Sequence, residues 1–150
     1  MSLLTVGKIF HVIGNVLWLG GGAAAAFAFA ALLSSREGAD DKVRVAAARA
    51  LRTVTLTLVT PGMLLSLGAG LVMLLSYWSE LYAKAPWMHA KLTVGLVAAA
   101  FSGVLTGRLR RAANDPAAIV KPGSLRLVGA VLVLSAVAGV SFVLTRMGQH

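Results

Sequence analysis

Cysteine is absent from this chain, which removes disulfides, thiol–quinone chemistry, iron–sulfur clusters and zinc–thiolate sites together. Charge is scarce: Asp, Glu, Lys and Arg make up 13% of the 150 residues, against about 25% in a typical soluble domain. Acidic side chains are scarcer still. All five, Glu37, Asp40, Asp41, Glu80 and Asp115, fall in loops or at interfaces, so no carboxylate is expected at membrane depth. That argues against a proton- or cation-coupled exporter built around a buried acid. The amino terminus also lacks a cleavable-signal layout, because its first apolar run is too long and no cleavage site follows a short one.

What is present is apolar. Hydrophobic residues make up 58% of the chain, and its mean hydropathy is +0.83. A helix needs about 20 apolar residues to cross a hydrocarbon core of about 30 Å, and four runs approach or exceed that length. They extend from about Val6 to Leu33, Val54 to Trp78, Trp87 to Leu109 and Leu125 to Leu144. The expected fold is all-α: an integral membrane four-helix bundle forming one transmembrane domain over residues 1–150. Asp40 and Asp41 suit a helix amino terminus, so helix is expected to run from there into the second span without a sharp break. Pro61 predicts a kink within that span, with Thr57 or Thr60 serving backbone groups freed by the proline. Tyr77, Trp78, Tyr82 and Trp87 crowd the link between the second and third spans and mark a membrane interface.

The formal charge of +9 would suggest nucleic acid in a soluble protein, but the basic residues sit at the ends of apolar runs. No nucleic-acid partner is expected. Arg36, Lys42, Arg44, Arg49 and Arg52 follow the first span, and Arg108, Arg110, Arg111, Lys121 and Arg126 follow the third. The other side holds only Lys8, Lys84 and Arg146. The positive-inside rule therefore places both basic loops in the cytoplasm and both termini on the outer, periplasmic side, as in a bacterial inner (cytoplasmic) membrane.

Ionisable residues at membrane depth are functional candidates by default, and few exist here. His11 lies in the first span and Lys91 in the third, and both spans start outside. His89, just above Lys91, lies at a similar level. Neutral imidazole ligates heme iron, copper or zinc, and a lysine at this depth can neutralise a carboxylate or act as an acid–base group. Asn15 and Trp18, at i+4 and i+7 from His11, share its face. The bland alternatives are an interhelical hydrogen bond for His11, a water-facing interfacial position for His89 and snorkelling for Lys91. The run "GGGAAAAFAFAAL" of the first span permits close approach of a helix or a flat ligand, with tight helix packing the simpler reading. Met63 and Met73 are ten residues apart and read as packing residues rather than a copper pair.

Three stretches, "FHVIGNVLWLGG", "TPGMLLSLGAGLVMLL" and "PWMHAKLTVGL", resemble the HemJ-type protoporphyrinogen IX oxidases and, more loosely, CopD-like copper-resistance proteins. The similarity covers roughly the first 110 residues. It implies heme b as cofactor, with His11 as an axial ligand and Lys91 as a residue needed for activity. His89 would then be the second ligand or a porphyrin contact, and Trp87, Trp18 and Asn15 would lie around the cofactor. Pro61 and Met63 match the family's Pro-x-Met segment. The family's Tyr-x-x-Arg-like segment after the first-span tryptophan is replaced here by glycine and alanine, which removes a group for substrate carboxylates. The resulting expectation is a heme-binding membrane oxidoreductase acting on a porphyrinogen. The alternatives are a non-catalytic subunit or scaffold of a larger membrane complex, carrying heme or pigment, and last a CopD-like copper transporter; the chain is expected to be a homo-oligomer or a complex subunit.

Overall fold

The computed structural model describes residues 3–35, 40–77 and 86–147, with side chains described for 4–35, 40–77 and 86–141. Arg36, Glu37, Trp78, Glu80, Tyr82, Lys84 and His150 lie outside the described residues, as does the side chain of Arg146. Four helices are long and apolar enough to cross a membrane, as an integral membrane protein requires. Helix α1 runs over Leu4–Leu33, α2 over Asp41–Ser76, α3 over Pro86–Asn114 and α4 over Pro122–Met147. No strand occurs among the described residues.

The second helix starts where expected. The Asp40 carboxylate accepts a hydrogen bond from the backbone N–H of Lys42 at 2.8 Å and caps the helix, which continues unbroken into the second span. The third helix passes the apolar run's end at Leu109 and carries Arg110 and Arg111 beyond it to Asn114. Just before Pro61, where a kink is expected, the helix takes a π turn over Thr55–Val59. The Thr60 hydroxyl donates to the Thr55 carbonyl at 3.0 Å, and Thr57 donates to Thr53 at 2.9 Å, so both threonines serve backbone acceptors around the turn. A second π turn, Val16–Gly20, interrupts α1, and the two irregular turns lie against each other.

Packing follows the ring order α1–α2–α3–α4, with α4 returning to α1. The amino-terminal half of α1 lies on the carboxy-terminal half of α2, and its other half lies on α4. The interior is built largely of small residues: Ala23, Ala25, Ala26, Ala30, Ala48, Ala98, Ala112 and Ala113 are buried. Large side chains such as Val16, Leu64, Leu96 (72% exposed) and Leu134 point outward. This inverts the soluble pattern. Hydrocarbon solvates Leu as well outside as inside, so helices associate through close packing rather than apolar burial.

The tightest approach joins α1 to α2. A Cβ added at Gly14 would lie 2.5 Å from the Ser66 nitrogen and 2.7 Å from the Gly62 carbonyl oxygen. One added at Gly62 would lie 2.7 Å from Leu17 Cβ and 2.9 Å from the Trp18 nitrogen. Both glycines are there for space, since each meets backbone that no rotamer change can move. At the other end of the bundle the two basic loops meet: Arg44 binds the Pro116 carbonyl, Arg49 Nε donates to Ala113 O at 3.2 Å, and Arg126 donates to Ser34 Oγ at 3.0 Å.

Gly14→Ala is expected to cost about 1–3 kcal/mol by forcing α1 and α2 apart. Gly103→Ala, where an added Cβ meets nothing within 4 Å, should leave stability unchanged. Unfolding of the two variants in detergent by titrated SDS measures the difference.

Candidate functional site

The α1–α2 seam places His11 against the second helix. Its row reads Gly7, His11, Gly14 and Trp18, spaced by four, three and four residues, which keeps one face toward α2. The opposing row reads Val59, Gly62, Ser66, Gly70 and Met73. Gly70 lies beneath the imidazole, where an added Cβ would come within 3.2 Å of His11 Nδ1. Met73 lies against Gly7 and Met63 packs against the core, so each methionine is a packing residue.

His11 Nδ1 lies 2.8 Å from the carbonyl oxygen of Ser66. A carbonyl only accepts, so Nδ1 carries the proton and donates it. A carbonyl has two lone pairs, so this bond is compatible with the helical one. Ser66 Oγ donates to Asn15 Oδ1 at 2.9 Å and presents a lone pair to Nδ1 at 3.2 Å. The three residues form a short polar chain whose direction is fixed: His11 to Ser66, and Ser66 to Asn15. The consequence lies at the far side of the ring. With the proton held on Nδ1, Nε2 keeps its lone pair, the state in which imidazole ligates a metal. Donation from the other nitrogen to a carbonyl is the usual support for such a ligand.

Lys91 stands on the inward stripe of α3. Met88, Lys91, Ala98, Ser102, Leu105 and Leu109 recur at intervals of three, four or seven residues, and all but half-buried Lys91 are buried. Lys91 and His11 thus stand on different helices of the bundle. His89 is exposed. Two residues before Lys91, it stands roughly 200° round the helix from it, so the two serve different faces of α3. Trp87 is half-buried at the start of α3.

Trp18 is 2% exposed and belongs to the bundle core. Its indole N–H donates to Ser102 Oγ at 2.7 Å, and Ser102 Oγ donates to Ala98 O at 2.9 Å, tying α1 to α3. Of the residues sharing the His11 face, Asn15 joins the histidine's polar chain and Trp18 braces the bundle one turn deeper. Ser66 and Ser102 were not singled out in the sequence. The signal was there for Ser66, which stands midway in the row Gly62-x-x-x-Ser66-x-x-x-Gly70, a polar residue in a small-residue seam. No group of three or more His, Cys, Asp or Glu side chains that could hold a metal ion occurs among the described residues.

No protein-family model matches the chain, and no curated protein or solved structure is significantly similar to it.

Ser102→Ala removes the acceptor of the buried Trp18 N–H and should cost about 0.6–1.7 kcal/mol, the range for interhelical hydrogen bonds in membranes. Thr53→Val removes an exposed hydroxyl that bonds Arg49 O within its own helix and should cost less. Paired SDS-unfolding curves read both.

Proposed function

We propose that the chain is a heme b-binding oxidoreductase of the bacterial inner membrane, of HemJ type, acting on a porphyrinogen. The observation that carries this reading is the His11–Ser66 hydrogen bond, which holds the imidazole in the tautomer an iron ligand needs. His11 would hold the heme through Nε2. The group would supply a reversible one-electron centre for taking electrons from the porphyrinogen.

Lys91 supports the same reading through charge. It is a half-buried cation, while the acids of the described chain, Asp40, Asp41 and Asp115, lie at the far, basic end of the bundle. A carboxylate of the substrate or a heme propionate is the counter-charge that such a lysine takes. Lys91 thereby stands in for the arginine that the resemblance leads one to expect in the first span. The small-residue seam brings the ring of His11 against Gly70, and the Ser66 carbonyl fixes its orientation. Lying one helical face away from Lys91, His89 serves the membrane surface in this reading.

A second reading, a non-catalytic heme- or pigment-carrying subunit, draws on one observation. Gly103 and Gly107 of α3 are exposed four residues apart with nothing within 4 Å, which suits a partner helix.

Purified protein is expected to show a Soret band with sharp reduced α and β bands, lost in His11→Ala. In Ser66→Ala the bands should persist, because the backbone carbonyl that orients His11 survives. A colourless wild-type protein that takes up no added heme sinks both readings.

Complementation of a strain lacking protoporphyrinogen oxidase separates them. Lys91→Ala should keep the heme spectrum and lose complementation. A wild-type chain that binds heme yet fails to complement, at normal membrane levels, selects the subunit.

A further inference from the structure

At the basic end of the bundle, 22 residues or about 33 Å along α1 from His11, a cavity of about 250 Å³ opens between the two loops. Its walls are Leu33 at the end of α1, Arg44 on the first turn of α2, and the connecting segment from Ala117 to Val120. Arg44 is held by its Nη2 group, which binds the Pro116 carbonyl and the Asp41 carboxylate, the latter at 2.9 Å. Its Nε is shielded from solvent and has no hydrogen-bond partner among the described residues. A partly buried guanidinium with a shielded, unspent donor favours an acceptor that can take more than one of its N–H groups.

The surroundings restrict what that acceptor is. Nine basic residues against three acidic ones, counted over the described residues of the two loops and the helix ends that flank them, give this end a net charge of +6. The amino terminus of α4 begins at Pro122, two residues beyond Val120, adding the positive end of a 26-residue helix. An anion is therefore favoured, and phosphate matches the guanidinium's planar donors.

The remaining wall residues carry apolar side chains. Leu33, Ala117, Ala118, Ile119 and Val120 offer no further polar side chain, and Ile119 is 91% exposed in a connecting segment that could have been polar. Such a side chain at the end of a membrane helix belongs in the acyl region of the lipid, which brings the cavity to headgroup level.

We propose that this cavity is a site for the phosphate of an anionic glycerophospholipid, with Arg44 binding the phosphate and Leu33, Ile119 and Val120 flanking the acyl chains. Asp41 competes with the phosphate for the same guanidinium, and its own side chain is largely exposed.

The test uses the whole chain, delipidated in mild detergent, and reads the midpoint of thermal unfolding. Added phosphatidylglycerol should raise it, while phosphatidylcholine and inorganic phosphate at equal concentration should not. Arg44→Gln should abolish the phosphatidylglycerol shift. Arg110→Gln, which removes the same charge at an exposed position nearby, should retain it. Asp41→Asn should enlarge the shift by freeing the guanidinium, and this variant decides the matter if Arg44→Gln fails to fold. Equal losses in Arg44→Gln and Arg110→Gln would mean diffuse attraction and overturn the site. A wild-type response that fails to separate phosphatidylglycerol from phosphatidylcholine overturns it too. Inorganic phosphate reproducing the whole shift overturns the lipid as occupant.

Discussion

The approach of α1 to α2 at Gly14 and Gly62 is the constraint on which the rest of the bundle depends. In hydrocarbon there is little to gain from hiding leucine, so two helices stay together only if their backbones come close enough for dense contact. Here they come within reach of one another's main-chain atoms, with Gly14 against Ser66 and Gly62 against Trp18. That distance lets a side chain as short as histidine reach a main-chain carbonyl on the neighbouring helix. Had either glycine carried a methyl group, His11 and the Ser66 carbonyl would be held apart, and the imidazole would lose the partner that fixes its proton. Packing and chemistry therefore share one cause.

The two π turns fit the same account. Each inserts an extra residue into its helix, and they do so at one level, Val16–Gly20 against Thr55–Val59. Such turns shift the face that follows them. Above the turns, α1 packs on α2; below them, its alanine-rich half packs on α4. Trp18 lies in the turn itself, deep in the core, with its N–H spent on Ser102 of α3. A regular helix would keep a single face toward one neighbour along its whole length. The irregular turns let α1 serve three neighbours, at a local cost to its own hydrogen-bond ladder that Thr60 offsets in the partner turn.

Much of this was legible in the sequence, and what escaped did so for physical reasons. Four apolar runs and a helix starting at Asp40 follow from hydropathy and capping, which are local properties. Pro61 announced a kink, but the π turn over Thr55–Val59 depends on facing the matching turn in α1, a tertiary matter. His11 and Lys91 were visible because charge and imidazole stand out among leucines. Ser66 was not, because a serine in a membrane helix commonly bonds its own backbone, as Ser102, Ser135 and Ser141 all do here. Only the seam across from His11 gives Ser66 a different partner. The sequence also left the direction of Lys91 open between the bundle and the headgroups, since a lysine one turn into a span reaches either.

Helical geometry decides that direction and divides the Trp-His-Lys stretch in two. Residues 88, 91, 98, 102, 105 and 109 follow the heptad-like stripe that α3 turns inward, and Lys91 is one of them. His89 cannot share it, since two residues of α-helix amount to more than half a turn. Lys91 therefore stands on the face that α3 turns toward the bundle, and His89 stands on a different one. A charged lysine turned inward costs about 2.5–3.5 kcal/mol at the bilayer centre and less near an interface. That cost needs an offset. His11, with its Nδ1 proton already given to Ser66, offers a lone pair but no charge. On the proposed reading the offset arrives with the ligand: an acidic porphyrin brings a carboxylate for the lysine and an iron for the imidazole, and neither half of the site is complete without it.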